Sequence, residues 1–156
     1  MRRRSRRAAV LVAIGCALAA PAAAAAALTP AEQAFKRAYV KLTPAFSKAA
    51  TAVTRDLAGA AKHTDPQLVT IFTACARQWA TATRPLLALR APAQEAALYA
   101  AIAKRARAVE SDLLDVVAAG RTNSVPGAKT AGTRLVNDFT TLHIDVIHLA
   151  LQLGIA

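Results

Sequence analysis

The chain has 156 residues, which is the length of one domain. Its 20 lysines and arginines outnumber its 9 aspartates and glutamates and give a formal net charge of +11, and it has two cysteines. Two cysteines are too few for a cysteine-rich copper store. If Cys16 is removed with an N-terminal signal, only Cys75 remains, and one cysteine cannot form an internal disulfide bond.

Residues 1–26 have the features of an export signal. Five arginines between positions 2 and 7 precede an uncharged apolar run over residues 8–28, and the alanines at positions 24–26 lie within a run of six that ends at position 27. A basic start, an apolar run and small residues before the cut are typical of a signal peptide. We therefore expect cleavage before Ala27, an extracytoplasmic protein that is secreted or periplasmic, and a mature domain over residues 27–156.

Two other outcomes of the signal stay open. Lipidation of Cys16 would anchor the protein, but Ala13 stands three places earlier, where a branched apolar residue is expected. The 21-residue apolar run is also about long enough to span a membrane as an uncleaved anchor. The body of the protein is extracytoplasmic in both cases, because the arginines stay on the cytoplasmic side.

The first helix is predicted to start at Thr29. Thr29, Pro30 and Glu32 match a capping box with proline at the first helical position. The apolar residues that follow recur in steps of three and four, as on one face of a helix. They are Phe35, Tyr39, Leu42, Phe46, Ala49 and Val53.

Three further segments have the same period. Thr64 or Asp65 with Pro66 starts the second helix, a turn near Pro92 precedes the third, and a loop over residues 119–127 precedes the fourth. The second stripe is Leu68, Phe72, Cys75, Trp79, Ala82, Leu86 and Leu89. The third is Leu98, Ile102, Ala106, Val109, Leu113 and Val116, and the fourth is Leu135, Phe139, Leu142, Val146, Leu149 and Leu153.

Four long helices with short connections predict an all-α protein. Short loops favour antiparallel neighbours, so we expect an up-down-up-down four-helix bundle behind the N-terminal export signal. Pro44 and Pro85 fall inside the first and second helices, and each is expected to kink or split its helix.

The sequence predicts no cofactor and no metal. The haem, di-iron and copper sites that helical bundles hold need ligand sets that are missing from this chain. His143, Asp145 and His148 are all able to bind a metal, but the two histidines lie about 140° apart around a helix and cannot reach one ion. We interpret Asp145 and His148 as a solvated pair on the polar side of the fourth helix. Cys75 lies in an apolar stripe and is predicted to be a buried, unreactive thiol.

A basic ridge is predicted on the first helix. Lys41, Lys48 and Arg55 recur every seven residues with Arg37 beside them, on the side opposite Tyr39. Such a row is either an ordinary solvated face or a site for an anionic surface. Arg77, Arg84, Lys104, Arg105 and Arg107 add further positive charge.

The fourth helix carries a second apolar line beside its stripe, and the polar side left over is narrow, so we expect this helix to be nearly enclosed. A four-helix bundle alone would leave part of the line in water, and a self-association face or a groove for an apolar ligand would cover it. The line is Val136, Ile144, Ile147, Leu151 and Ile155.

These features predict an exported bacterial protein without enzymatic activity. It would bind an envelope protein, or an anionic lipid or polymer of the cell envelope, while self-association through helix four stays open. Nucleic acid is disfavoured, because the ridge lacks interleaved aromatic residues. The alternative is a carrier or sensor of a small apolar ligand held between the helices.

Overall fold

The computed structural model describes residues 28–155, which form four α-helices and no strand. The helices are α1 (Pro30–Gly59), α2 (Asp65–Leu87), α3 (Ala96–Arg121) and α4 (Val125–Gln152), and a 3-10 turn (Ala60–Lys62) follows α1. Within this range, no helix is both long and apolar enough to cross a lipid bilayer. The predicted signal and its cleavage site lie outside the described residues.

Side chains and prolines define the starts of three helices. The Thr29 hydroxyl accepts from the Glu32 backbone N–H at 3.2 Å, and the Glu32 carboxylate accepts from the Thr29 N–H, which confirms the predicted capping box. Thr64 caps α2, where its N–H donates to Gln67 Oε1 at 2.9 Å. Ser124 caps α4 by accepting from Gly127 N–H at 3.2 Å. Gly127 therefore lies in the first turn of α4 and not in the predicted loop.

Neither internal proline splits its helix. Pro44 lies within α1 and Pro85 within α2. Each proline lacks the N–H that would bond to the carbonyl four residues earlier, at Val40 and Thr81. All four residues are exposed, so water can satisfy the freed carbonyls and the helices continue.

The core is centred on Trp79 of α2. Its side chain is fully buried, with ring centroids 5.4 Å from Phe46 of α1 and 6.0 Å from Phe139 of α4. Its indole Nε1–H donates to the backbone carbonyl of Ala106 on α3 at 2.9 Å. All four helices thus meet at one side chain, and the predicted stripes supply most of the core.

The third stripe is displaced at its ends. Ile102, Ala106, Val109 and Leu113 are buried as predicted, but Leu98 and Val116 are only half-buried. Tyr99 and Val117 are the buried residues at the two ends of α3. The Tyr99 hydroxyl donates to the Leu86 carbonyl, which explains how a polar side chain is accommodated there.

Ion pairs join α3 to α4 and correct the expectation that Asp145 is solvated. Arg105 lies 3.1 Å from Asp145 and 3.5 Å from Asp138, while Arg134 pairs with Asp112 at 2.9 Å and also with Asp115. Asp145 is therefore held against α3 and does not form a solvated pair with His148, although Arg134, His148 and Gln152 on the polar side are exposed. The second apolar line is exposed in four of its five residues, so the four helices alone leave it in water.

The helices do not pack equally against one another. α2 packs against α1 and α3, and α3 packs extensively against α4. The backbones of α1 and α4 approach each other much less. Lys36 of α1 bridges this side, because its Nζ donates to the carbonyl of Gly154 at 2.8 Å.

Candidate functional site

The basic ridge of α1 is solvent-exposed along its whole length. Arg37, Lys41, Lys48 and Arg55 are all exposed, and they span about 27 Å at 1.5 Å per residue. Phe35, Tyr39, Phe46 and Val53 bury the opposite side of the helix. Burial of that apolar side fixes the rotation of α1 about its axis and turns the four cations outward.

Three of the four ridge cations have no acidic partner in the part of the chain that the structure describes. Arg55 Nη2 lies 2.8 Å from Asp56 Oδ1, so part of its charge is neutralised. Arg37, Lys41 and Lys48 take part in no ion pair within residues 28–155. Their positive charges are therefore available to an external anion.

The cations outside α1 fall into two groups. Arg77, Arg84, Lys104 and Arg107 are exposed on α2 and α3. Arg105 differs, because its side chain is only 36% exposed and pairs with two aspartates of α4. Arg105 therefore fastens α3 to α4 and does not belong to a basic surface.

The apolar line of α4 is exposed in four of its five predicted residues. Val136, Ile144, Ile147 and Leu151 are 49%, 46%, 45% and 58% exposed, respectively. Ile155 lies beyond the end of α4 and is half-buried against the core. We use "outer face of α4" for these four exposed residues together with Thr140, which is exposed between them.

The described residues do not combine into a metal site. His143 and His148 are exposed, while Asp145 is turned toward Arg105 and its side chain is 17% exposed. No group of three or more His, Cys, Asp or Glu residues that could hold a metal ion is found between positions 28 and 155.

Cys75 is buried and is shielded from solvent as predicted. Burial raises the pKa of its thiol to about 11, with a further increase from the charge of Asp56 and a partial decrease from Arg55. A thiol with such a pKa has little thiolate at neutral pH, and thiolate is the nucleophilic form. Cys75 is therefore a packing residue of the α1–α2 interface.

Two buried carboxylates were not found by sequence reasoning. Glu95 and Asp112 are each 4% exposed, and one oxygen of each has no hydrogen-bond partner among residues 28–155. They lie 17 positions apart on or next to α3, about 25 Å along a helix, so they do not act on a common group. Asp112 follows Val109 by three residues and directly precedes Leu113, and both of these neighbours belong to the third apolar stripe. Its burial could have been predicted from this position.

Two open grooves indent the surface. One, of about 410 Å³, lies between the end of α1 and the start of α4 and is lined by Leu57, Ala128, Gly132 and Val136 among others. The other, of about 400 Å³, lies beside the turn that contains His63. Both are shallow and open to solvent.

Comparison of the chain with known protein families, with curated proteins and with solved structures found no match.

Proposed function

We propose that this chain is an exported, non-enzymatic protein that adsorbs to an anionic surface of the cell envelope through the basic ridge of α1. The observation that carries the proposal is the exposed row of Arg37, Lys41 and Lys48, which have no acidic partner among the described residues. These three cations span about 17 Å of helix, and the whole ridge to Arg55 spans about 27 Å, which matches an extended array of phosphate or carboxylate groups better than it matches one small anion.

Export supports the choice of anion. The arginine-rich start, the apolar run and the alanines before Ala27 are those of a signal peptide, and an extracytoplasmic protein meets lipid headgroups and envelope polymers. Juxtamembrane cations are attracted to an anionic bilayer by about 1 kcal/mol per residue. Three to four ridge cations are therefore enough for weak adsorption.

We propose the up-down-up-down bundle as the scaffold of the ridge. Contacts between helix ends support this topology. Lys36, near the start of α1, reaches Gly154 beyond the end of α4, while Leu57 near the end of α1 shares a groove with Ala128 near the start of α4. In the same way, Tyr99 near the start of α3 bonds to Leu86 near the end of α2.

The test is adsorption of the exported protein to vesicles. Its intact mass, expected to begin at Ala27, first establishes which form is used. Replacing Arg37, Lys41 and Lys48 together with Gln should weaken binding to phosphatidylglycerol vesicles on the order of tenfold to a hundredfold. The helical content should not change, because the three side chains are exposed.

A matched control variant removes three positive charges from α2 and α3 and leaves the ridge unchanged. Arg77, Lys104 and Arg107 are exposed on α2 and α3, and their joint replacement by Gln should weaken adsorption much less than the ridge variant does. Binding should fall with added salt, since exposed charges are screened beyond about 8 Å at physiological ionic strength. A soluble anionic polymer such as dextran sulfate in place of vesicles distinguishes a polymer from a lipid surface. Equal losses in the two variants, or adsorption that is indifferent to salt, would contradict the proposal.

The groove between α1 and α4 favours a second candidate function, a carrier of a small apolar ligand. Leu57 and Val136 supply apolar walls, and nothing lies within 4 Å of a side-chain carbon added at Gly132. Lys129 and Asn137 also line the groove, and its open form leaves one side of any ligand in water. A protein that carries an apolar ligand usually encloses it, so the ridge supports its function better than this groove does.

A further inference from the structure

We propose that a second copy of this chain docks on the outer face of α4, so that two α4 helices pair antiparallel about a two-fold axis near Ile144. This proposal rests on α4 and is independent of the basic ridge. Four of the seven large apolar side chains that are exposed within residues 28–155 belong to this face. Monomeric proteins rarely concentrate exposed apolar side chains in this way unless a partner covers them.

Charge favours a second copy as the occupant. Between Thr133 and Leu151, the Asp, Glu, Lys and Arg residues of α4 are Arg134, Asp138 and Asp145, and all three are paired with side chains of α3, while His143 and His148 are exposed at the edges of the outer face. The outer face itself therefore contains no Asp, Glu, Lys or Arg. Two copies of this face can meet without burying an unpaired charge, which would be costly in an interface.

The spacing of the face also fits a two-fold pairing. Val136 and Thr140 precede Ile144 by eight and four residues, while Ile147 and Leu151 follow it by three and seven. When two α4 helices run in opposite directions, Val136 lies opposite the partner's Leu151 and Thr140 lies opposite the partner's Ile147. Ile144 then meets its own copy across the axis, as the self-complementary geometry of a two-fold interface requires.

The size of the face predicts a weak dimer. Residues 136–151 extend over about 23 Å of helix, and one helix face is about 10 Å wide. Stable dimers usually bury about 1,200–2,000 Å² in total, and two helix faces of this size, roughly 500 Å² together, lie well below that range. We therefore expect a monomer–dimer equilibrium in the micromolar range and not an obligate dimer.

Sedimentation equilibrium of the exported protein, from a few micromolar to several hundred micromolar, tests the association. The wild type should shift from monomer to dimer over this range. Ile144→Asp should weaken the dimer at least tenfold, because it places two carboxylates together at the axis. Val40→Asp is the matched control, since Val40 is 43% exposed on α1, and it should leave the equilibrium unchanged.

Disulfide crosslinking tests the direction of pairing without a disruptive charge. Chains carrying Val136→Cys, when mixed with chains carrying Leu151→Cys and oxidised mildly, should form mainly mixed disulfide dimers. Ile144→Cys should crosslink to itself, while Val40→Cys should not. Cys75 does not interfere, because it is buried.

The results of these experiments distinguish dimerisation through α4 from adsorption through the basic ridge of α1. A protein that stays monomeric at the highest concentration, or that crosslinks Val136→Cys chains to each other in preference to Leu151→Cys chains, would overturn the proposed pairing. Binding of the protein to uncharged vesicles through the outer face of α4, without dimerisation, would also overturn it. Replacing Arg37, Lys41 and Lys48 with Gln should leave the dimer intact, whereas Ile144→Asp should leave vesicle adsorption by the monomer intact.

Discussion

The buried position of Cys75 determines the reactivity of its thiol. The thiol is buried between α1 and α2, and burial raises its pKa to about 11. At pH 8, about one thiol in a thousand is then ionised, and only the thiolate attacks a disulfide. We expect Cys75 to react with an aromatic disulfide reagent only after denaturant is added.

The control for this labelling experiment is a surface thiol on the same protein. Ile144→Cys provides one, because Ile144 is 46% exposed. Its thiol should react within the mixing time at concentrations where the protein is monomeric. Native labelling of Cys75 at a comparable rate would show that the α1–α2 interface opens readily.

Individual buried residues differed in how well the sequence predicted them. The steps of three and four correctly predicted the burial of Cys75 and Trp79, because helical spacing determines which residues share a face. Tyr99 was missed because the stripe was drawn along one edge of the core face of α3, through Leu98 and Val116, whereas the structure buries the residues at the other edge, Tyr99 and Val117. The hydrogen bond from Tyr99 to Leu86 also depends on another helix, which no local pattern reveals.

At the scale of the helix, the sequence of α4 alone does not determine which of its sides contacts α3 and which faces solvent. Its apolar stripe, its second apolar line and its polar side were all predicted from spacing. The solvent exposure of Asp145 was predicted wrongly, because Asp145 pairs with Arg105, 40 positions away in the chain, and its side chain is only 17% exposed. Burial of Leu135, Leu142 and Leu149 places these ion pairs along the boundary with α3 and leaves the outer face of α4 in water. The four ridge residues of α1 were predicted more easily, since α1 has one apolar side and the ridge lies opposite to it.

The pair of Arg134 with Asp112 gives a test of this interface. The Asp112 side chain is 6% exposed. Burial raises its pKa above the ordinary value, and the hydrogen bond and charge of Arg134 offset part of that rise. Arg134→Gln removes the compensating charge, so it should increase the unfolding equilibrium constant on the order of tenfold at pH 7.

The pH dependence of that loss identifies its cause. Without Arg134, the pKa of Asp112 in the folded protein should rise further above its value in the unfolded chain. The folded state then binds more protons than the unfolded state, so the free energy of unfolding falls as the pH rises. Urea unfolding should show a large difference between Arg134→Gln and wild type at pH 7 and a small one near pH 4. Asp115→Asn is the control, because Asp115 is 51% exposed, and it should change stability little at either pH. An equal difference at both pH values would mean that Arg134 acts through packing alone.

At the scale of the whole molecule, the two proposed surfaces lie on different sides of the bundle. Lys36 reaches α4, and the ridge residues lie about 100–140° further round α1 from Lys36. The ridge therefore faces away from α4, so a dimer formed through α4 leaves both ridges open to solvent. Two ridges on one dimer would strengthen adsorption through effective concentration, without any new contact between the ridge and the anionic surface.

The core as a whole should make the protein sensitive to alkali. Tyr39, Cys75 and Tyr99 are buried, and burial raises the pKa of each; the pKa of Cys75 rises from 9.0 to about 11 and that of Tyr99 from 10.0 to about 12. Above pH 9, these groups ionise in the unfolded chain while the folded protein still holds their protons. The unfolded state then binds fewer protons, so the free energy of unfolding falls as the pH rises.

Each pKa unit corresponds to about 1.4 kcal/mol, so Cys75 alone should cost on the order of 2–3 kcal/mol of stability once the pH exceeds 11. Urea unfolding of the wild type should therefore weaken steadily from pH 9 upward. Cys75→Ala is the decisive variant, because it removes one of the ionising groups and leaves the tyrosines in place. Its stability should be lower than that of the wild type at pH 7, where the smaller side chain leaves a cavity, but the difference should shrink or reverse by pH 11. If the two proteins lose stability in parallel between pH 9 and pH 11, the thiol is not titrating during unfolding, and the burial of Cys75 in the α1–α2 interface would be contradicted.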